Sequence, residues 1–469
     1  MEFGRLARGH ELRTLSLLRK ALDPAAWTRR ISKIRSETRT TKRLGEVQAL
    51  LDQWRRGDPV DFLAYRDTKL AEILAYAQKH CPYYAGLFAN RGLSSRNQTG
   101  FAKLPLLDKP TIRQHRAGLV SNELGSMRHG RMNTGGSTGE PLEFIVCRGV
   151  GLVDSLHQEF LYRKAGYEPG DVIVALDGSS VPESLRAQHV YWIATGPEDV
   201  PYGRLSYSSL YLTPETMPYY IEHIIATRPA FLRGYPSFLS QLADFLLEHK
   251  ITLPFGVKAV ELTSENTYEA QVTRIAAAFK TQVIFQYGHS EVCVFAYTDD
   301  DTYEYTCSPL YGLTEVLDTE GHPVAPGDAG EIVATGFHNF AMPFIRFRTG
   351  DVAVFSGDDN GIVRLKRIVG RTQDYIYTKR GDRLALTALI FGQHYRAFNH
   401  IVKWQLYQTV PGEVTVRIVK GTRFSTADED EIRSKFWDIA EVAVHFEFLD
   451  AIPLTRSGKF MFLVQKISH

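Results

Sequence analysis

From Gly151 to Glu291 the chain alternates between two hydrophobic periods. "GLVDSLHQEFLYRKAGYEPG" spaces its apolar residues as a helix and stops at Gly166 and Pro169, and "DVIVALDG" follows as a short apolar run. "RPAFLRGYPSFLSQLADFLLEH" turns at Gly234–Pro236 and continues as a helix with Leu239, Leu242 and Leu246 on one side. "VKAVELTSEN" and "TQVIFQYGHSE" are buried-strand runs ending in polar loops. Apolar strands separated by amphipathic helices bury both faces of a sheet when the strands run parallel. The expected fold is therefore α/β, with ligands bound beyond the carboxyl ends of the strands.

The flanking regions read differently. Asp61 to Phe88 is helical, with Leu70, Ile73, Leu74 and Ala77 on one face and Pro82 closing the run. After about Asp301, "GEIVATG", "FIRFRTGDVAVF" and "GIVRLKRIVG" alternate as β-structure with glycine turns. A smaller α+β unit begins near Gly370: a hairpin across Pro411–Gly412, a helix opened by a Thr426–Glu429 capping box, and a strand at "HFEFLD". The expected organisation is a basic helical extension over 1–60, a large domain over 61–369 and a small lobe over 370–469. The large domain is read as several layers, its sheets flanked by helices.

At 469 residues, with 44% hydrophobic and 23% charged side chains, the chain has the composition of a globular protein. A net charge of +2 gives no global field for nucleic acid. Residues 1–57 are the exception, with fourteen Lys or Arg against six Asp or Glu, interleaved with Leu12, Leu15, Leu17, Leu18, Leu22 and Trp27. The favoured reading is a solvated helical extension packed on the body; the alternative is contact with an anionic membrane surface or a polyanion. The four cysteines are scattered without a metal-like cluster, which suits a reducing cytoplasm. No apolar run is long enough to span a membrane and no signal-type core opens the chain, so a cytoplasmic location is expected.

Five short motifs carry chemistry. "NTGGSTGEP" concentrates glycines and hydroxyls over Thr134, Gly135, Gly136, Ser137, Thr138 and Gly139, which suits several donors turned toward one phosphate, or a plain turn. No Gly-Lys-Ser/Thr triplet follows, so it is not a Walker loop and a P-loop kinase is disfavoured. "YGHSE" follows a strand; Tyr287 can stack on a base and Glu291 can hold a hard cation. In "FRTGD", Asp351 can accept from both hydroxyls of a ribose. In "GRTQD", Arg371 is a multidonor cation at the change of texture, next to the hinge candidates Gln373 and Asp374. In "PLTRSGKF", Lys459 is a point charge after a flexible Ser-Gly. Each motif alone is also an ordinary turn or solvated loop.

Together, in this order, they resemble the adenylate-forming enzymes. Within that superfamily "CPYYAGLF", "LPLLDKPTIRQ", "RGYPSFLSQLADFL" and "GRTQDYIYTKRGDRLALTAL" look most like the phenylacetate–CoA ligase and CapK-like group, over roughly residues 60–469. The resemblance implies a large domain for ATP and a carboxylic acid, and a small lobe that rotates. It implies phosphate binding by Thr134 to Gly139, and a base and ribose site at Tyr287, Gly288, Asp351, Thr263, Ser264 and Glu265. It further implies Mg²⁺ on Glu291, catalytic roles for Lys459, Arg371 and Glu291, an acceptor channel at Gly381, and an acyl pocket near Tyr235 and Ser237. Two departures stand out. Glu140 occupies a phosphate-loop position that is usually Lys, and the segment before Gly381 is one residue longer than in CoA ligases.

The activity implied is ATP-dependent, AMP-forming activation of a carboxylic acid, then transfer to coenzyme A. The alternatives are transfer to an amine or hydroxyl in capsule, surface-polysaccharide or natural-product assembly, or non-catalytic binding of an acyl nucleotide. Lys459, Glu291 and Asp351 together speak against the last.

Overall fold

A computed structural model of the protein describes residues 24–92, 98–133, 142–194, 205–265, 267, 269–298, 302–371, 375–386, 389, 395–453 and 460–467. Its longer helices are α1 (Pro24–Arg56), α2 (Phe62–His80), α3 (Pro82–Asn90), α4 (Arg148–Lys164), α5 (Met217–Thr227), α6 (Pro236–Glu248), α7 (Glu269–Phe279) and α8 (Thr426–Ala440). The helical run expected from Asp61 to Phe88 is two helices. Asp61 caps the first through a bond from the Ala64 amide. Pro82 drives Cys81 into extended backbone, which ends α2 and lets the proline open α3.

The centre is a twelve-stranded sheet. Its heart is the parallel set β8 (Gln282–Gly288), β7 (Ala259–Thr263), β6 (Phe231–Gly234), β3 (Ile173–Asp177) and β5 (Leu205–Ser208), in that order, with β4 (Trp192–Ala194) antiparallel to β5 at the edge. β3, β7 and β8 are the strands expected from the alternation of periods, β5 and β6 are additions to it, and one core cluster joins all five to α5, α6 and α7. A second cluster joins them to α1 and α4 on Val47, Phe160, Phe231 and Tyr297. Beyond β8 the sheet turns antiparallel through β9 (Phe295–Tyr297), β10 (Tyr305–Cys307), β14 (Ile362–Arg371), β13 (Phe347–Asp359), β12 (Ala329–Gly336) and β11 (Gly312–Leu317). The change of texture after Asp301 is this change of pairing.

From Thr40 onward, α1 is a packed element. Val47 and Leu51 are fully buried, and Trp54 meets the rings of Phe62, Phe160 and Tyr297 at 4.8, 5.2 and 5.9 Å. Its Arg43 guanidinium stacks on Phe340 at 3.7 Å, so part of the basic excess covers an aromatic surface. Leu12, Leu15, Leu17, Leu18 and Leu22 lie outside the described residues.

The small lobe has its own core, from Ile376 to Leu463. A hairpin of β17 (Ile401–Val410) and β18 (Glu413–Lys420) is flanked in parallel by β20 (Leu463–Gln465) and β19 (Ala443–Phe448), and α8 joins β18 to β19. The helix cap sits one residue earlier than the sequence suggested. Ser425 is the N-cap, and Asp428 at N3 accepts its amide at 2.8 Å, because Ser425, not Thr426, holds the extended backbone a cap requires. Among the described residues no helix is long and apolar enough to cross a membrane, and all four cysteines are free thiols.

Candidate functional site

Three adjacent parallel strands end together. Gly234 of β6 lies beside Leu262 of β7, and Thr263 beside Gln286 of β8. Gly234 is required there, because a Cβ would collide with the Leu176 carbonyl of β3. The residues that follow, Tyr235 and Ser237, Ser264 and Glu265, and Gly288 and Glu291, therefore gather along one edge of the sheet. Ser264 holds a left-handed backbone, φ +68°, unusual for a non-glycine residue. Thr263 is tied to the next strand by a 2.7 Å bond from its hydroxyl to Gln286 Oε1.

Asp351 reaches this edge from the antiparallel half. Gly350 turns the chain at φ +79°, and its amide donates to Glu331, which also holds Arg348. The Thr349 hydroxyl donates to the Ile332 carbonyl at 2.7 Å and accepts the Asp351 amide at 3.0 Å. On this rigid turn Asp351 is buried, and the Tyr287 hydroxyl donates to its Oδ2 at 2.7 Å. Across the ladder Asp351 pairs with Arg371, so the "FRTGD" and "GRTQD" motifs lie side by side.

Glu291 is buried, and burial alone would raise its carboxyl. His289, whose Nδ1 lies 3.1 Å from Glu291 Oε2, and the charge of Lys109 overcome this and hold the carboxyl below the usual range. The His289 side chain is 8% exposed, and its Nδ1 faces the Glu291 carboxylate. His289 also lines a cavity of about 520 Å³ between β1 (His129–Asn133), β2 (Glu143–Cys147) and the start of α4. Arg128, Arg148 and Asp154 supply its charged walls, with Met132, Val146 and Val150 the apolar ones. Tyr235 and Ser237 do not line it. Both belong to the β6–α6 turn, where Ser237 is bound by Glu265.

Glu265 faces the small lobe. It accepts the Ser237 amide at 3.0 Å, the Ser237 hydroxyl at 3.1 Å and the Phe460 amide at 2.8 Å. Burial raises its carboxyl, offset in part by these donors and by Lys403. Gly381 turns the "TKRGD" loop at φ +85°, which favours glycine, and has open space where a Cβ would stand.

Thr134 to Gly139, expected to bind phosphate, and Glu140 lie outside the described residues, as do Gln373, Asp374 and Lys459; of Arg371 only the backbone is described. The β1–β2 hairpin is described up to its last pair, Asn133 with Glu143. Three residues near the site were missed from sequence: Lys109, His289 as a cavity wall, and Lys403. Lys109 stood in a quoted motif and His289 inside "YGHSE", so both signals were visible. Lys403 sits in a strand pattern that carries no mark of function.

Parallel strands extended by an antiparallel half, with a small α+β lobe beside their carboxyl ends, make up the fold of the adenylate-forming enzymes. The chain has that fold, and on it Tyr287 of "YGHSE", Asp351 of "FRTGD" and the backbone of Arg371 of "GRTQD" come together. Residues 376–466 match the CapK C-terminal domain. The chain is 23% identical over 429 residues to Protein CapK of Staphylococcus aureus, covering 87% of this chain and 90% of that protein. It is similar in structure to a 2-hydroxyisobutyryl-CoA ligase in the postadenylation state with R3-HIB-AMP: TM-score 0.64, 18% identity, 85% of this chain and 88% of that one. It is also similar to the GH3.15 acyl acid amido synthetase: TM-score 0.54, 15% identity, 82% and 85% coverage.

Proposed function

We propose that the protein is an ATP-dependent, AMP-forming ligase that activates a carboxylic acid as its acyl-adenylate and passes the acyl group to coenzyme A. The observation that carries this is the junction of two motifs: Tyr287 of β8 donates to Asp351 of β13, with Glu291 just beyond the same strand end. An aromatic face, a ribose acceptor and a buried anion in that order suit a nucleotide laid across the edge of the sheet.

In this reading adenine lies against Tyr287 and Gly288 beside Thr263 and Ser264, while Asp351, joined by Arg371, takes the ribose hydroxyls. Thr134 to Gly139 bind the β- and γ-phosphates. Among the described residues no three metal-ligating side chains form a cluster. A magnesium ion would therefore take Glu291 as its protein ligand and fill its shell from phosphate and water, as magnesium commonly does. The residues fit this, since Glu291 is held anionic by its surroundings. When bound, the ion neutralises phosphate charge.

The acid lies in the cavity beside His289, where arginines at the wall and an apolar floor meet a carboxylate and its acyl body. A carboxylate oxygen attacks the α-phosphorus, the bond to the bridging oxygen breaks, and pyrophosphate leaves. Lys459 stabilises the charge that develops there. The small lobe then turns about Gln373 and Asp374 and brings Gly381 toward the acceptor. The coenzyme A thiol attacks the acyl carbon, releasing AMP. Lys379, Arg380 and Arg383 flank Gly381 and suit the phosphates of coenzyme A. The absence of a membrane-length apolar helix among the described residues suits a cytoplasmic enzyme.

The test is a panel of carboxylic acids in pyrophosphate exchange, then trapped adenylate offered to coenzyme A, amino acids and amino sugars separately. Exchange followed by thioester supports the reading. Exchange followed only by amide or ester moves the acceptor to an amine or hydroxyl.

A further inference from the structure

Glu265 ties the two parts of the molecule together at a telling place. Its carboxylate is seated on the large domain by both polar groups of Ser237, at the N-terminus of α6. The oxygen that accepts the Ser237 hydroxyl also accepts the Phe460 amide at 2.8 Å. That amide nitrogen is bonded covalently to the carbonyl carbon of Lys459. Beyond Phe460 the segment is fixed to the small lobe: Gln405 donates to the Met461 carbonyl at 2.8 Å, and the Leu406 amide to the Phe462 carbonyl at 2.8 Å. Lys403 Nζ lies 4.7 Å from the centre of the Phe460 ring, and its charge acts on the Glu265 carboxylate. Three donors converge on this half-buried carboxylate, and one of them is the amide next to Lys459.

We propose that Glu265 is a positioning residue: its carboxylate clasps the amide following Lys459 and holds the small lobe in the orientation that serves adenylation. This rests on the adenylation reading and gives Glu265 a different task from contact with the base or ribose. The clasp exists in one lobe orientation and must open before the lobe can turn toward an acceptor. Glu265 therefore acts on the first half-reaction and not on the second. Lys403 is its counter-charge on the moving side.

The test uses the full-length protein with Glu265→Ala and Glu265→Gln. Amide hydrogen exchange of Phe460 in the ligand-free protein is the readout independent of activity. Wild type protects it; Glu265→Ala exchanges about tenfold faster, the scale of one lost hydrogen bond. The amide of Leu406, within the small lobe, keeps its protection. Pyrophosphate exchange in Glu265→Ala falls about 10- to 100-fold in kcat, the scale of a displaced catalytic group, with KM for ATP within about threefold. Supplied acyl-adenylate is consumed at the wild-type rate. Glu265→Gln, which keeps an acceptor oxygen, restores exchange to within about fivefold of wild type. Unchanged Phe460 protection in Glu265→Ala overturns the clasp, as does equal loss in both half-reactions, or a rise in KM for ATP with kcat intact. A wild-type protein that exchanges pyrophosphate with no acid defeats the functional reading instead, and the Phe460 amide still decides the clasp.

Discussion

Replacing Tyr287 with Phe removes one oxygen and leaves the aromatic face in place. That oxygen donates to Asp351 Oδ2 at 2.7 Å, and Asp351 is 7% exposed, so water cannot readily take its place. A hydrogen bond to a buried charged acceptor contributes about 1.5–3 kcal/mol, a factor of roughly 10 to 150. Part of that loss falls on stability and part on the aim of the carboxylate toward the ribose. A ribose contact is made equally in the ground and transition states, so its loss belongs in KM and not in kcat. The expected outcome is a KM for ATP raised about 5- to 50-fold, with kcat and the KM for the acid within about threefold of wild type. The assay is pyrophosphate exchange at saturating acid with ATP varied, paired with calorimetric titration of the nucleotide. Tyr287→Ala, which also removes the stacking face, should be worse for ATP alone. An unchanged KM for ATP together with a raised KM for the acid would refute the placement of nucleotide and ribose on β8 and β13.

Lys459→Ala should lose about two to four orders of magnitude in adenylation, the scale of losing a key electrostatic donor, while supplied acyl-adenylate is still consumed; equal loss in both halves would reject the role. Gly151 lines the cavity and has open space where a Cβ would stand, so Gly151→Phe should fill it. The KM for the acid should rise at least tenfold, the scale of about 1.4 kcal/mol, with ATP binding unchanged by titration. His157 and His338 are buried, and burial depresses their imidazoles to about 3 and about 4 from 6.5. The unfolded chain therefore takes up protons first, and stability is lost as pH falls through 6.5 toward 4. From pH 7 to pH 5 these two rings should remove about 4 kcal/mol, read from urea midpoints, and His157→Gln should halve that change.

β3, β7 and β8 were legible because they are short apolar runs, and only a two-sided sheet buries such runs; β6 was not, because Phe231–Gly234 runs directly into the helical pattern of α6. The break at Cys81 was less legible, since a proline at N1 continues a helical pattern while changing its direction. The N-terminal extension was hard to read for a different reason. Its apolar stripe is formed by Leu44, Val47, Leu51 and Trp54, near its end, whereas the charges that drew notice lie mostly earlier. At the site, Tyr287 and Asp351 were each visible as motifs, and their meeting is tertiary: the residues are 64 apart, with β9, β10 and β14 between their strands in the sheet order. The resemblance places Glu265 along the base side of the nucleotide. The structure turns its carboxylate toward Ser237 and Phe460, a contact between distant segments that no local pattern encodes. Lys403 shows the same limit, because a lysine in an alternating strand looks the same whether it faces solvent or another lobe.

The most direct measurement is the identity of the nucleotide product. Purified protein is turned over with ATP, magnesium and an acid that supports pyrophosphate exchange, and the nucleotides are resolved by chromatography. AMP and pyrophosphate in equal amounts are the result expected of a carboxylate attacking the α-phosphorus beside Asp351 and Glu291. ADP and inorganic phosphate would contradict it, placing the attack at the γ-phosphorus and removing the acyl-adenylate from the reaction.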